Sequence, residues 1–506
     1  MTGRPRVVVV GAGIAGLAAA RALAPANEVV VLEADGRVGG KLVTTEFRGR
    51  PLDVGPDNFI TRNDAATRLC REVGLGDELL APATSRAAVH ARGRPRALPA
   101  GLVLGIPTDF AALAGIVGAG GMLRAALDLV RPATAASAAL AAGGDADPTV
   151  HEVLVPRLGR AVVSRLVDPL LGGINAGDCS TLSLRAVAPQ LASAAAGQRS
   201  IVRALRSGRS GPPSDLAPRA DGPGAVPLFL GLNRGIGSLV DALLRSLEHA
   251  GVSVRTSSPV ASLGRDASAE GPPWCVRLPG EVLRADGVVL AVPAHRAALL
   301  LADLAPELSR ECASVAYSGV ATVTLAWPSS AVPDGLARDL DPGRRRGAGA
   351  ARGLPRGEPA PPSLPGSGVL VPRGTGGVVT AASFTSTKWP RSARPGEVLV
   401  RASAGRDGDE RALGLDDREL VDTVRAEIGA LLGITAPPIE SLVWRFPSSF
   451  PQYASGHIAR AARIASLAGS LPGLALAGAA YDGIGIPACV TSGERAAAAV
   501  AARTAR

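Results

Sequence analysis

The first residues in this chain that could do chemistry are glycines and an acid at fixed spacing. Val7-Val8-Val9-Val10 runs into Gly11-Ala12-Gly13-Ile14-Ala15-Gly16 and an alanine-rich stretch, and Val29-Val30-Val31-Leu32 then ends on Glu33. Strand, glycine turn, helix, strand and acid in this order form a dinucleotide-binding unit. Gly11 permits the tight turn, Gly13 lets backbone approach a pyrophosphate, and Gly16 lets helix and strand pack closely. The helix N-terminus offers unpaired N–H groups and a positive dipole to the phosphates. Glu33 can accept hydrogen bonds from a ribose.

The next residues separate FAD from a nicotinamide. Glu33-Ala34-Asp35-Gly36-Arg37-Val38-Gly39-Gly40-Lys41 carries a glycine doublet flanked by Arg37 and Lys41. A second close backbone approach suits the longer phosphate and ribityl arm of FAD. Together with the first turn, this string resembles the signature of the amine oxidase-like flavoproteins. In that superfamily Asp53-Val54-Gly55-Pro56-Asp57-Asn58 matches the next flavin-contacting turn.

Further elements must complete such a site. Gly231-Leu232-Asn233-Arg234-Gly235-Ile236-Gly237 leads into a predicted amphipathic helix, Ser238 to His249, with Leu239, Leu243, Leu244 and Leu247 at helical spacing. Strands are predicted at Val252–Val254 and from Gly287 to Pro293. In related flavoproteins the backbone at the Val260 position pairs with the adenine edge; an ordinary edge strand is the alternative. Near the other end, Leu474–Gly478 reads as a strand entering Tyr481-Asp482-Gly483-Ile484-Gly485-Ile486-Pro487. Ser492-Gly493-Glu494 and an alanine-rich helix follow. Gly478, Ile484, Gly485 and Ile486 thereby join the cofactor set.

The expected fold class is α/β. A Rossmann-like FAD-binding domain is built from discontinuous segments, with a mixed-sheet substrate domain and a helical insert. Cofactor segments cover 1–80, 228–296 and 440–506. Substrate segments cover 81–96 and 297–439, and the helical insert covers 97–206. Strands are predicted near Val320–Trp327, Val369–Val371, Val378–Phe384 and Val398–Ala402. Two stretches rich in Gly, Pro and Arg, 207–227 and 333–366, read as flexible loops.

The resemblance then narrows. Val167-Asp168-Pro169-Leu170-Leu171-Gly172-Gly173-Ile174-Asn175-Ala176-Gly177-Asp178, Pro451-Gln452-Tyr453, Gly456-His457 and the string from Ala477 to Cys489 are similar to the oxygen-dependent protoporphyrinogen/coproporphyrinogen oxidase family of haem synthesis. The match runs nearly end to end, apart from the two loops. Phe384-Thr385-Ser386-Thr387-Lys388-Trp389 and Arg401-Ala402-Ser403-Ala404-Gly405-Arg406 resemble its Gram-positive, actinobacterial branch. That branch oxidises coproporphyrinogen III to coproporphyrin III, with molecular oxygen as acceptor and hydrogen peroxide as by-product.

The resemblance implies a tetrapyrrole substrate, held in part by Arg86 against a propionate; the alternative for Arg86 is a solvated arginine. Gly173 presents its carbonyl near the tetrapyrrole centre or is a plain turn glycine. Trp389 lies against the flavin or is a core indole. Asn175, where the family usually has an aromatic residue, and Ala488, in place of a common acid, bear on substrate positioning. The cofactor carries the hard step, so no catalytic side chain is demanded.

Composition bounds the rest. At 506 residues and 47% hydrophobic, the chain can hold two or three lobes. Its longest apolar runs fall short of the roughly 18–20 residues that span a bilayer. The N-terminal apolar run is broken by the glycine turn, unlike a secretory leader, so a cytoplasmic location is expected. The net charge of +10 and pI near 10.3 admit nucleic acid, an anionic membrane or an acidic substrate. The excess is spread along the chain, so no nucleic-acid partner is expected. Peripheral membrane contact and a carboxylate-rich substrate remain. Lysine occurs only at Lys41 and Lys388; one reading is that a compact ammonium is needed there and a planar guanidinium does not fit, and the alternative, open for Lys388, is accidental survival of a lysine.

Cys70, Cys179, Cys275, Cys312 and Cys489 are scattered, so neither a metal site nor a disulfide framework is expected. The motif around Cys489 differs from that of covalent flavoenzymes, so FAD is expected to bind non-covalently. His457 is expected to be structural. Three rivals remain: a protoporphyrinogen IX oxidase, another oxidase of the superfamily acting on amines or carotenoids, and a non-catalytic FAD-fold binding protein related to GDP-dissociation inhibitors.

Overall fold

The computed structural model describes residues 4–99, 101–143, 146–197, 199–207, 227–266, 271–333, 336 and 364–504. The loops expected over 207–227 and 333–366 lie, except at their ends, outside the described residues.

Five parallel strands carry the glycine motif. In spatial order they are Ser253–Arg255, Glu28–Leu32, Arg6–Val10, Gly287–Leu290 and Leu474–Leu476. A parallel sheet covered on both faces requires near-continuous apolar strands. Val7 and Val9 enter one core with the helix Ile14–Leu23, and Val8 and Val10 enter the core behind the sheet. Burying each of these valines contributes roughly 1.5–3 kcal/mol. Segments hundreds of residues apart therefore complete one sheet, as the discontinuous reading expects.

The helix Ile486–Thr504 crosses Ile14–Leu23 where Gly493 meets the Ala15 carbonyl, with no room for a Cβ. The sequence reading puts Ser492-Gly493-Glu494 ahead of this helix; they lie inside it. Small residues are needed there for the close crossing. Ser492 Oγ instead accepts from the Gly478 N–H at 2.9 Å and donates to Asp482.

A seven-stranded mixed sheet forms the roof. Its order is Glu440–Pro451, Tyr317–Pro328, Glu397–Ala404, Val379–Ser383, Gly368–Leu370, Ala87–Ala91 and Arg94–Ala97. All neighbours are antiparallel except Gly368–Leu370 beside Ala87–Ala91. The helix Asp417–Leu432 covers one face through Leu420, Val424 and Ile428.

Two segment boundaries move. The strand Glu440–Pro451 pairs along Tyr317–Pro328 and belongs to the roof, although the sequence reading starts the third cofactor segment at 440. The helices Ala294–Leu301 and Pro306–Ala313 pack behind the five-stranded sheet, although residues from 297 are assigned to the substrate side. Their apolar residues Ala297, Leu301, Leu308 and Cys312 meet Val8 and Val288 there.

A third body runs from the helix Ala114–Ala126 to Ile201–Arg206 around its own apolar core. It opens with a short hairpin, Leu102–Val103 and Ile106–Pro107. Its stretch Val163–Gly172 is π-helical, a form rare outside functional or strained sites. The backbone stays helical through Gly173–Asn175 and ends at Ala176, in the left-handed region at φ 44°.

Candidate functional site

The turn behaves as its residues dictate. Gly11 has φ +99°, and a Cβ there would lie 2.6 Å from the Ala291 carbonyl oxygen. Its N–H donates to the Leu32 carbonyl at 2.7 Å, tying the turn to the second strand. A Cβ on Gly16 would strike the Gly11 carbonyl. Gly13 differs: its φ is −72°, and nothing lies within 4 Å of a Cβ placed on it. Its open face looks out from the helix N-terminus. The first intrahelical bond is Leu17 N–H to the Gly13 carbonyl, so the N–H groups of Ile14, Ala15 and Gly16 lack intrahelical acceptors. The Ala12, Ile14 and Ala15 side chains are buried and contribute only backbone.

Glu33 has a second task. Its Oε2 accepts from the Ala12 N–H at 2.8 Å and its Oε1 from the Asp35 N–H at 3.0 Å. The acid thus braces the turn while its remaining lone pairs stay available to a ribose. The Ser258 N–H donates to the Glu33 carbonyl at 2.8 Å, bringing Val260 alongside. Val260 lies in the connection between Ser253–Arg255 and Ser262–Arg265, not in an edge strand. Ala34 is exposed beside the acid.

The doublet sits directly on the turn. Gly39 N–H donates to the Ala12 carbonyl at 2.8 Å, and a Cβ on Gly40 would lie 3.3 Å from Gly13 Cα. Gly39 is buried, its φ is +95°, and a Cβ there would meet Val240 at 2.9 Å, so both its backbone angle and its packing call for glycine. Arg37 donates to the Gly40 carbonyl at 2.8 Å and lies over Trp444, which clips the loop shut. The Lys41 carbonyl fills the space a Gly55 side chain would need, which brings the doublet and the Gly55–Asn58 turn together.

The Lys41 ammonium makes no hydrogen bond or ion pair among the described residues. Burial pushes its pKa down, with the neighbouring Cys489 opposing. Burial also pushes the Cys489 thiol up to about 11, against the pull of Lys41. His295, lowered by burial, Arg296 and Lys41, stands on the same side, edge-on to Tyr317 at 4.8 Å.

The C-terminal part lies against the same loops, with Cys489 beside Lys41 and Gly493 on Ala15. Gly478, Gly483 and Gly485 have φ values of 126°, 129° and 114°, which only glycine adopts readily. They set Ile486 at the N-terminus of Ile486–Thr504, while Ile484 packs toward the helical body. Tyr453 donates to the Ala479 carbonyl and stacks on His457 with centroids 4.0 Å apart. His457 is buried, and that burial, with Arg460 adding, holds it down to about 4. It is neutral near pH 7, which suits the structural role expected of it.

Several expectations change. Trp389 is 0% exposed; its ring lies against Gly231 and under Arg391, and its Nε1 donates to Asp57 Oδ2 at 2.9 Å. A ring with no free surface in an open cleft has none to offer a flavin, so the core alternative holds. Gly173 is helical, at φ −62°, ψ −41°, and exposed beside Ile174; it is not a turn glycine. Asn175 is buried and donates to the Leu171 carbonyl at 2.7 Å, so it packs the helical body rather than facing a ligand.

Arg86 is exposed just before the roof strand Ala87–Ala91, and its carbonyl accepts from Ser367. Sequence reasoning leaves out the cluster of Asp53, Asp57, Arg391 and Arg401 with Lys388. The scarcity of lysine was its one sequence signal.

The described residues contain no helix long and apolar enough to cross a membrane, and no group of His, Cys, Asp or Glu able to hold a metal ion. What they do contain is a phosphate-ready helix end, a braced acid, a doublet loop packed on the glycine turn, and a second glycine-framed helix whose Cys489 lies beside Lys41. A dinucleotide with an extended second half fits this arrangement.

Comparison with known proteins agrees. A Bacillus subtilis protein named coproporphyrinogen III oxidase is 30% identical, over 98% of this chain and 97% of its own length. A Mycobacterium leprae protein of the same name is 32% identical, over 98% of each chain. A crystal structure from Exiguobacterium sp. 255-15 is 28% identical, covers 99% of both chains and superposes with a TM-score of 0.80. Cyclohexylamine oxidase from Brevibacterium oxydans shares the fold, at 16% identity over the full length of both chains and a TM-score of 0.65. Residues 14–501 match the family described as flavin containing amine oxidoreductase. With its glycine turn, doublet loop and closing helix all intact, the chain belongs to that flavin-containing amine oxidoreductase family.

Proposed function

We propose that this chain is an FAD-dependent oxidase that converts coproporphyrinogen III to coproporphyrin III, with molecular oxygen as acceptor and hydrogen peroxide as by-product. The observation that carries the proposal is full-length similarity to proteins of that name, combined with an intact glycine turn, bracing acid and doublet loop. The nucleotide is FAD, as in the family. Bound there, it would accept a hydride from the reduced tetrapyrrole at each two-electron step.

The chain's own residues bind, orient and exclude. The N–H groups of Ile14, Ala15 and Gly16 meet the pyrophosphate. Glu33 meets the ribose, and the Val260 backbone meets the adenine. Lys41, Gly55–Asn58, Gly478 and Gly485–Ile486 surround the flavin half. The FAD is held non-covalently, and burial, which pushes the Cys489 thiol up to about 11, disfavours the thiolate beside it. Arg86 meets a propionate, and Gly173 offers its backbone to the ring. A cytoplasmic location, with at most salt-sensitive contact to an anionic leaflet, belongs to the same proposal. Retention in the membrane pellet after a high-salt wash would contradict that part.

The deciding experiment compares initial oxidation rates of coproporphyrinogen III and protoporphyrinogen IX by porphyrin fluorescence. Coproporphyrinogen III should be the faster. A clear preference for protoporphyrinogen IX would place the activity with the 29% identical Bos taurus relative, named protoporphyrinogen oxidase.

A further inference from the structure

The seam between the roof and the cofactor half is built on a buried carboxylate. Asp57 Oδ1 accepts from Lys388 Nζ at 3.1 Å and from Asn58 Nδ2 at 2.6 Å. Its Oδ2 accepts from Lys388 Nζ at 3.0 Å and Trp389 Nε1 at 2.9 Å, with Arg401 Nη2 at 3.6 Å. The Asp57 side chain is 8% exposed and that of Lys388 16%. Apart from Asn58, every donor comes from the roof. Lys388 ends the short helix Thr385–Lys388, and its carbonyl accepts from the Ala83 N–H at 2.9 Å. Arg401 also donates to the Gly55 carbonyl at 2.7 Å and to the Asp53 carbonyl.

The surroundings explain the choice of residue. A buried carboxylate without a paired cation takes up a proton or destabilises the fold. Here burial opposes ionisation, but Lys388, then Arg401 and the Trp389 N–H, outweigh it and hold Asp57 well below the usual carboxylate range. Asp53, the other acid facing this cluster, is paired with Arg391 at 2.5 Å and leaves Lys388 to Asp57. One ammonium serves both Asp57 oxygens, at 3.1 and 3.0 Å, from a single point, where a planar guanidinium would make a different, forked contact. The chain has 54 basic residues and only two lysines, so a lysine here is informative.

We propose that Lys388 is a positioning residue for the cofactor cleft: by fixing Asp57 from the roof, it holds the Gly55–Asn58 turn against Lys41 and so sets the affinity for FAD. This rests on the reading that the cleft takes FAD. The test titrates apoprotein with FAD, following flavin fluorescence, at pH 6 and pH 8. Wild type should bind equally at both. Lys388→Met should bind about tenfold or more weakly at pH 6, and less weakly at pH 8. The sign follows because loss of the ammonium lets burial raise Asp57, so that falling pH neutralises the carboxylate.

Lys388→Arg should recover part of the loss. Adding Lys388→Met to Asp57→Asn should cost little further. Wild-type affinity in Lys388→Met at both pH values would overturn the proposal, as would a loss independent of pH and unchanged in the Asp57→Asn background. If Lys388→Met does not fold, a folded Asp57→Asn variant with wild-type FAD affinity overturns it. Failure of the wild-type chain itself to bind FAD would instead sink the cofactor reading.

Discussion

Gly13→Val isolates the phosphate contact from the fold. Gly13 has φ −72° and ψ 175°, an extended geometry that valine adopts freely, and a Cβ there meets nothing within 4 Å. The protein therefore has room for the side chain. Valine is a poorer N-cap than glycine by about 1 kcal/mol, and the stiffer unfolded chain returns roughly 0.4–1 kcal/mol. The apoprotein should melt within a few degrees of wild type. The ligand has no such room. The valine methyl groups stand in front of the Ile14, Ala15 and Gly16 N–H groups, where the pyrophosphate must come. A hydrogen bond to a charged group contributes roughly 1.5–3 kcal/mol, so losing two weakens FAD by about 3–6 kcal/mol, or roughly a hundred- to ten-thousandfold in Kd. The assay is flavin content of the purified protein and FAD titration of the apoprotein, with a circular-dichroism melt as the folding control. Normal flavin content in a folded Gly13→Val protein would refute the assignment of this turn to the phosphates.

Two further outcomes are expected. Arg86→Ala should lower kcat/KM for coproporphyrinogen III by roughly ten- to a hundredfold at unchanged FAD content, from the loss of one charge-assisted contact, and less if water shares the contact; an unchanged rate at subsaturating substrate removes Arg86 as an anchor. His457 is depressed from 6.5 to about 4 by burial, so its contribution is present above pH 6.5 and lost as pH falls toward 4. His457→Phe keeps the stack on Tyr453 and should make the stability drop between pH 7 and pH 4.5 smaller by about 2 kcal/mol; identical urea midpoints against pH for both proteins would contradict the buried neutral ring.

The parts of this protein legible in its sequence are those whose cause is local. The Gly11–Gly16 turn was readable because its backbone angles and its helix end are set within a few residues. The valine strands were readable because a sheet buried on both faces demands unbroken apolar runs. The need for glycine at Gly478 and Gly485 likewise lies in their own φ angles. What the sequence left open depends on partners it cannot show. That Gly39 also packs against Val240 is visible only in the fold. Ser492-Gly493 reads as lying ahead of the last helix until two helices are seen to cross there. Glu440–Pro451 joins the roof only because Tyr317–Pro328 presents a free edge, more than a hundred residues earlier in the chain. Trp389 reads from sequence as a flavin contact with a core indole as its competitor, and the partner that holds it, Asp57, lies 332 residues away. Periodicity and turn chemistry act over a few residues, whereas a buried charge is satisfied by whichever donors the finished packing brings to it. The tertiary structure alone therefore decided that Lys388, Trp389 and Arg401 converge on one carboxylate.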